Sequence, residues 1–175
     1  MEIKHNNHRG FTLIELLVAL TVMMILVSVS VSNYGSIFAQ RALIQKTEQL
    51  YYFLRLAKTQ AIQDNKQIYV HFCQQGSTDI WKMIMTDSDS CDCTAINSCL
   101  LNGNNKVEQL SDGKKLFAAI NFSSQQASYK PMRFHVSTGN VTLSNNNGDQ
   151  LKVIQSSMRL RLCSPDKAQL GYEQC

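Results

Sequence analysis

Residues 8–32 read HRGFTLIELLVALTVMMILVSVSVS, a run in which Glu15 is the single acidic residue. No further charge occurs until Arg41. As a helix, the densely apolar part from Leu13 to Val31 would span about 28 Å at 1.5 Å per residue, close to the roughly 30 Å of a bilayer's hydrocarbon core. A carboxylate at the centre of such a helix costs about 2.5–3.5 kcal/mol on insertion scales, so a buried Glu15 needs a partner. Lys4 and Arg9 precede the run, and by the positive-inside rule this leader stays cytoplasmic while the rest of the chain lies outside.

A secretory signal peptide is cut just after its apolar region, at small residues, and Ser28, Ser30 and Ser32 imitate such a site. The helical pattern, however, does not stop there. Leu43, Leu50, Leu54, Ala57 and Ala61 continue at helical spacing, with Ile44, Phe53 and Ile62 widening the stripe. Arg41, Gln45, Lys46, Glu48, Gln49, Arg55, Lys58 and Gln60 interleave with them. Gly35 is the only glycine, and no proline interrupts residues 11–64. The spacing predicts one helix over 11–64, apolar all round in its first half. In its second half a single apolar face needs a cover.

At 175 residues, 44% hydrophobic and 17% charged, the chain is foldable and fits one domain with an appendage. The net charge of +4 is spread along the chain and does not by itself announce nucleic acid. Cys73, Cys91, Cys93, Cys99, Cys163 and Cys175 all follow the apolar run. Their spacing does not fit the usual zinc knuckles. An even number outside the cytoplasm indicates disulfides, with 15 possible connectivities.

Beyond Asp64-Asn65 the periodicity changes. KQIYVHF (66–72), IWKMIM (80–85), KLFAAINF (115–122), MRFHVS (132–137), VTLS (141–144), LKVIQ (151–155) and MRLRLC (158–163) read as strands. TDSDSCDCTAINSC (86–99) reads as a stapled loop, and Asn147-Gly148 signals a hairpin. The expected architecture is α+β, with an antiparallel sheet covering the apolar face of the helix.

No catalytic set stands out. His71 and His135 are isolated, and neither a G-x-S-x-G turn nor a phosphate-cradling glycine loop occurs. The chain is expected to be no enzyme and to carry no cofactor. Asp87, Asp89 and Asp92 are candidate Ca²⁺ ligands, though the spacing, glycine and closing glutamate of an EF-hand are missing. Arg159 and Arg161 stand two apart, with Lys152 on the neighbouring strand and Lys167 following. Paired cations on one strand face can hold successive phosphates, which suggests salt-dependent contact with DNA.

GFTLIELLVAL (10–20) resembles the class III leader motif of type IV pilins and type II secretion pseudopilins. The resemblance implies that a prepilin peptidase cuts after Gly10 and that Phe11 becomes the N-methylated terminus. Residues 1–10 would be the leader, 11–32 a membrane and assembly segment, and 65–175 a disulfide-stapled periplasmic sheet domain. The protein would cross the inner membrane once until it enters a pilus or pseudopilus with other pilins. Glu15 would pair with the new amine of a neighbouring subunit, so that two buried charges offset each other, and removing either strands its partner.

MRFHVSTGNVTL (132–143) and SMRLRLC (157–163) are similar to the GspH/FimT group of minor pilins and pseudopilins. That similarity implies a minor type IV pilin, incorporated into a pilus or priming it, with the minor pseudopilin of a type II secretion system as the alternative. FimT-type proteins of DNA-uptake pili carry G-R-x-R; here Met158 replaces the glycine ahead of Arg159 and Arg161. Many pilins close their C-terminus with a disulfide loop, which implies a Cys163–Cys175 bridge and leaves Cys73 for the 91–99 cluster. The six cysteines and paired arginines favour the pilus.

Overall fold

The computed structural model describes residues 11–95, 98–131 and 136–175, with main chain alone over 29–33. Its elements are a helix α1 (Leu13–Gln63) followed by strands β1 (Ile68–Gln74), β2 (Trp81–Thr86), β3 (Lys106–Gln109), β4 (Leu116–Phe122), β5 (Gln126–Tyr129), β6 (Gly139–Asn145), β7 (Gln150–Gln155) and β8 (Leu160–Cys163). A short 3₁₀ turn, Ser123–Gln125, joins β4 to β5. Two compact units divide the chain at residue 37, and the second, Phe38–Cys175, holds all the strands.

In the second unit the apolar stripe of α1 is covered. Leu43, Leu50, Ala57 and Ala61 are fully buried, and Leu54 nearly so. The helix ends in a Schellman motif: Asn65 takes a left-handed φ of 50° and the Lys66 N–H reaches the Ala61 carbonyl at 3.3 Å. Asp64 accepts from Gln60 and Asn102 side chains, which hold its carboxyl below the usual range. The chain therefore leaves the helix in a fixed direction to begin β1.

The expected α+β arrangement holds, but the strands form two sheets. The first has the order β3-β2-β1-β5 and the second β4-β6-β7-β8. Every pairing between named strands is antiparallel. Ile68, Val70 and Phe72 of β1 join Met83 and Met85 of β2, Val141 and Leu143 of β6, and Leu151 and Val153 of β7 in the core cluster that also contains the helix stripe. The two sheets meet through Phe72 and Phe122, stacked at 5.4 Å. A polar chain joins them too: the buried Tyr129 hydroxyl donates to Gln155 Oε1, and Gln155 Nε2 donates to the Ser137 carbonyl at 2.6 Å. Burial pushes the Tyr129 phenol strongly upward, so it remains a donor.

β3 and β5 were not among the expected strands. They are edge strands of four residues with little hydrophobic alternation, KVEQ and QASY, and periodicity is weakest at that length. Most of the expected strand at 132–137 lies outside the described residues; Val136 bridges to Tyr129 and the Ser137 N–H reaches the Ser128 carbonyl. The Asn-Gly hairpin forms between β6 and β7. Asn145 Oδ1 accepts the N–H groups of Asn147 and Asp149, both at 3.0 Å, and Gly148 supplies φ +84°.

Gly139 stands opposite Phe122. A Cβ there would lie 2.6 Å from Phe122 Cγ and 2.7 Å from the Asn121 carbonyl. Gly139→Ala must displace the ring that joins the two sheets, so a loss of about 1–3 kcal/mol is expected from overpacking. Urea denaturation of the oxidised protein measures it, with Gly76→Ala, where a Cβ meets open space but φ is +62°, as the purely conformational comparison.

Candidate functional site

The first unit begins in an exposed, capped helix start. Thr12 is the N-cap of α1: its carbonyl accepts the Leu16 N–H at 3.2 Å and its Oγ1 accepts the Glu15 N–H at 3.3 Å. Thr12-Leu13-Ile14-Glu15 has the spacing of a capping box, and an acidic residue in the first turn suits the positive end of the helix dipole. This cap was legible in the sequence as T-x-x-E. Thr12 and Glu15, both within the GFTLIELLVAL stretch, thus start the helix. Gly10 and the rest of the leader lie outside the described residues.

From Phe11 to Ser28 every side chain is exposed in the isolated chain, Phe11 by 82%. Thr21 and Ser28 donate their hydroxyls to the carbonyls of Val18 and Ile25, both at 2.8 Å, so each is satisfied within the helix. Among the described residues, no helix is long and apolar enough to cross a membrane. An apolar surface this contiguous calls for a cover of lipid or other helices.

The C-terminal cations are placed differently from a simple row. Lys152 stands opposite Cys163, and Ile154 opposite Arg161, so Lys152 and Arg161 are diagonal neighbours on the outer face of the second sheet. Arg161 also donates to the main-chain oxygen of Cys175. Arg159 precedes β8, in the β7–β8 turn, and lines a groove against α1. Lys167 is exposed in the tail.

All six cysteines are paired: Cys73–Cys93, Cys91–Cys99 and Cys163–Cys175. The first two fold the 87–99 loop over Ile84 on the outer side of the first sheet. In that loop the Asp92 carboxylate accepts the N–H and hydroxyl of Thr94, at 2.9 and 2.7 Å, and these bonds hold its carboxyl below the usual range. Asp92 is therefore engaged in a turn. Among the described residues, no three His, Cys, Asp or Glu side chains, Asp87 and Asp89 included, are grouped to hold a metal ion.

The chain thus has the make-up of a pilin-like subunit: a helix that starts exposed and apolar, and a disulfide-stapled sheet domain around that helix's second half. A family profile for the prokaryotic N-terminal methylation motif matches residues 5–31, and one for type II transport protein GspH matches residues 46–166. The chain belongs to this GspH family of minor pilins and pseudopilins, whose members are structural subunits and not enzymes. None of the curated proteins matches the chain.

Among solved structures, it is similar to the type IV minor pilin FimU of Pseudomonas aeruginosa, at 13% identity and a TM-score of 0.51, over 72% of this chain and 94% of that one. It is also similar to EpsH, the minor pseudopilin of the type 2 secretion system of Vibrio cholerae. There the identity is 14% and the TM-score 0.50, over 71% of this chain and 98% of that one. At these identities the likeness is one of fold.

One tail contact is open to titration. The Tyr172 hydroxyl donates to Glu48 Oε1 at 2.7 Å, across 124 residues of sequence. Burial, then the bond to Glu48 and its charge, push the phenol up to about 12. A raised folded value means the contribution is complete below the free value of about 10 and is lost as pH rises through about 12. The phenolate absorbance assigned to Tyr172, by difference from Tyr172→Phe, should appear near 12 and move down in Glu48→Gln.

Proposed function

We propose that the protein is a minor subunit of a type IV pilus, made with a cleaved leader and assembled through its N-terminal helix. The supporting observation is the capped, exposed start of α1: Phe11 follows the Gly10 of the leader motif, and Glu15 lies one helical turn in, on an uncovered apolar surface. Prepilin peptidase cuts the Gly10–Phe11 bond on the cytoplasmic side and Phe11 is N-methylated. Until assembly, residues 11–32 hold the chain in the inner membrane with residues 65–175 in the periplasm, where the disulfides form. On assembly the exposed helix leaves lipid for the helices of neighbouring pilins. Glu15 then pairs with the Phe11 amine of a neighbour, since neither charge is tolerable alone in an apolar interior.

Three disulfides in a domain of this size suit a filament exposed outside the cell, and this favours the pilus. The pseudopilus of a type II secretion system is the second reading, favoured by the GspH profile. DNA contact, within the pilus reading, would fall to Lys152 and Arg161 on the outer sheet face, with Arg159 in the β7–β8 turn and Lys167 in the tail as the further cations. Such binding would be weak and strongly salt-dependent, since few cations are available to displace counterions.

Intact mass of membrane-extracted protein should show a chain starting at a methylated Phe11; a chain starting at Met1 in cells with active prepilin peptidase would sink the assignment. Glu15→Gln should be processed normally and yet be lost from sheared filaments. Deletion should abolish piliation while leaving exoprotein secretion intact; the reverse pattern selects the pseudopilus. Lys152→Ala/Arg161→Ala should weaken any retardation of duplex DNA at low salt.

A further inference from the structure

Between the second half of α1 and the β7–β8 turn lies a groove of about 290 Å³. Arg55 and Lys58 reach it from the helix and Arg159 from the turn. The turn is held in place: the Ser156 N–H and hydroxyl both reach the Arg159 carbonyl at 3.0 Å, and the Arg159 N–H returns to Ser156 Oγ at 3.2 Å. Three positive side chains therefore converge from two rigid elements. Among the described residues, none of those lining the groove is acidic. Among the described residues, none of the three side chains has an ion pair or a hydrogen-bond acceptor.

The walls between these charges mix apolar side chains with the polar Thr59, Gln155 and Ser156. Tyr51, Ile62 and Leu160 line the groove, and Ile62 is 56% exposed, with no cover in the isolated chain. We propose that this groove binds a segment of another protein in which carboxylates alternate with apolar side chains. The carboxylates would face Arg55, Lys58 and Arg159, and the apolar side chains would cover Ile62 and Leu160. Charge complementarity decides the sign of the partner: three like charges lining one groove with no acidic residue among its described lining favour an anionic occupant.

The size and the walls decide its class. A volume near the lower end of ligand pockets accepts a few side chains. A duplex, as a convex rod, would reach only the rim. A bare anion would leave the exposed Ile62 and the Leu160 surface of the wall uncovered, whereas a segment with apolar side chains covers them. Arginine forks hold carboxylates in paired hydrogen bonds. The inference involves no residue of the N-terminal assembly segment, so its failure leaves the proposed function untouched.

The test uses the full-length oxidised protein in detergent and fluorescence anisotropy with a labelled peptide that alternates glutamate and leucine. Saturable binding is expected, weakened about tenfold or more in Arg55→Gln/Lys58→Gln and by added salt. Ile62→Ser should weaken it as well, providing a reading on the apolar wall should the double variant misfold, and Lys167→Gln should leave it unchanged. The proposal is overturned by no saturable binding, by equal binding of the peptide with glutamine for glutamate, by equal weakening by Lys167→Gln, or by complete displacement by inorganic phosphate at an ionic strength where chloride leaves the peptide bound. Tighter binding of a single-stranded oligonucleotide at the same three cations would also overturn it and assign the groove to nucleic acid.

Discussion

The buried stripe of α1 is the constraint on which residues 38–175 depend. Leu43, Leu50, Leu54, Ala57 and Ala61 form one core with the inner residues of both sheets, and among the described residues no other α-helix packs on either four-stranded sheet. Ala57 and Ala61 are fully buried within that core. Because full burial of a leucine contributes about 1.5–3 kcal/mol, the stripe is the main attachment of helix to sheets. The Tyr129–Gln155–Ser137 chain adds direction to it: its donors and acceptors match in one relative placement of the sheets.

Much of this was written in local sequence. The apolar spacing from Leu43 to Ala61, the Asn145–Asp149 turn and the aromatic and β-branched runs of β1, β2 and β4 follow from periodicity and turn chemistry. The division into two sheets did not, because alternation tells which side of a strand is buried but not which strand lies next to it. β5 joins the first sheet although it follows β4, the edge of the second, and that crossing is a tertiary choice. KVEQ and QASY carry too few apolar residues to announce themselves.

The site was legible to different depths. Gly10, Phe11 and Glu15 stand in a dense linear motif, and Thr12 belongs to it as the helix cap. Arg55 and Lys58, by contrast, look from sequence like an ordinary solvated helix face; only the turn that brings Arg159 over them makes a groove. Arg161 matched a motif but is engaged by the Cys175 oxygen, a contact whose partner lies 14 residues away across a disulfide loop.

The three bridges close within short stretches, at separations of 20, 8 and 12 residues, and none includes a residue of α1. Cys73–Cys93 and Cys91–Cys99 staple the 87–99 loop over the outer side of the first sheet, away from the helix, whereas the stretch closed by Cys163–Cys175 reaches back to α1 through Tyr172 and Glu48. The first loop can therefore be rewritten in length and charge without retuning the helix that makes the subunit joinable, while the tail must keep its grip on that helix.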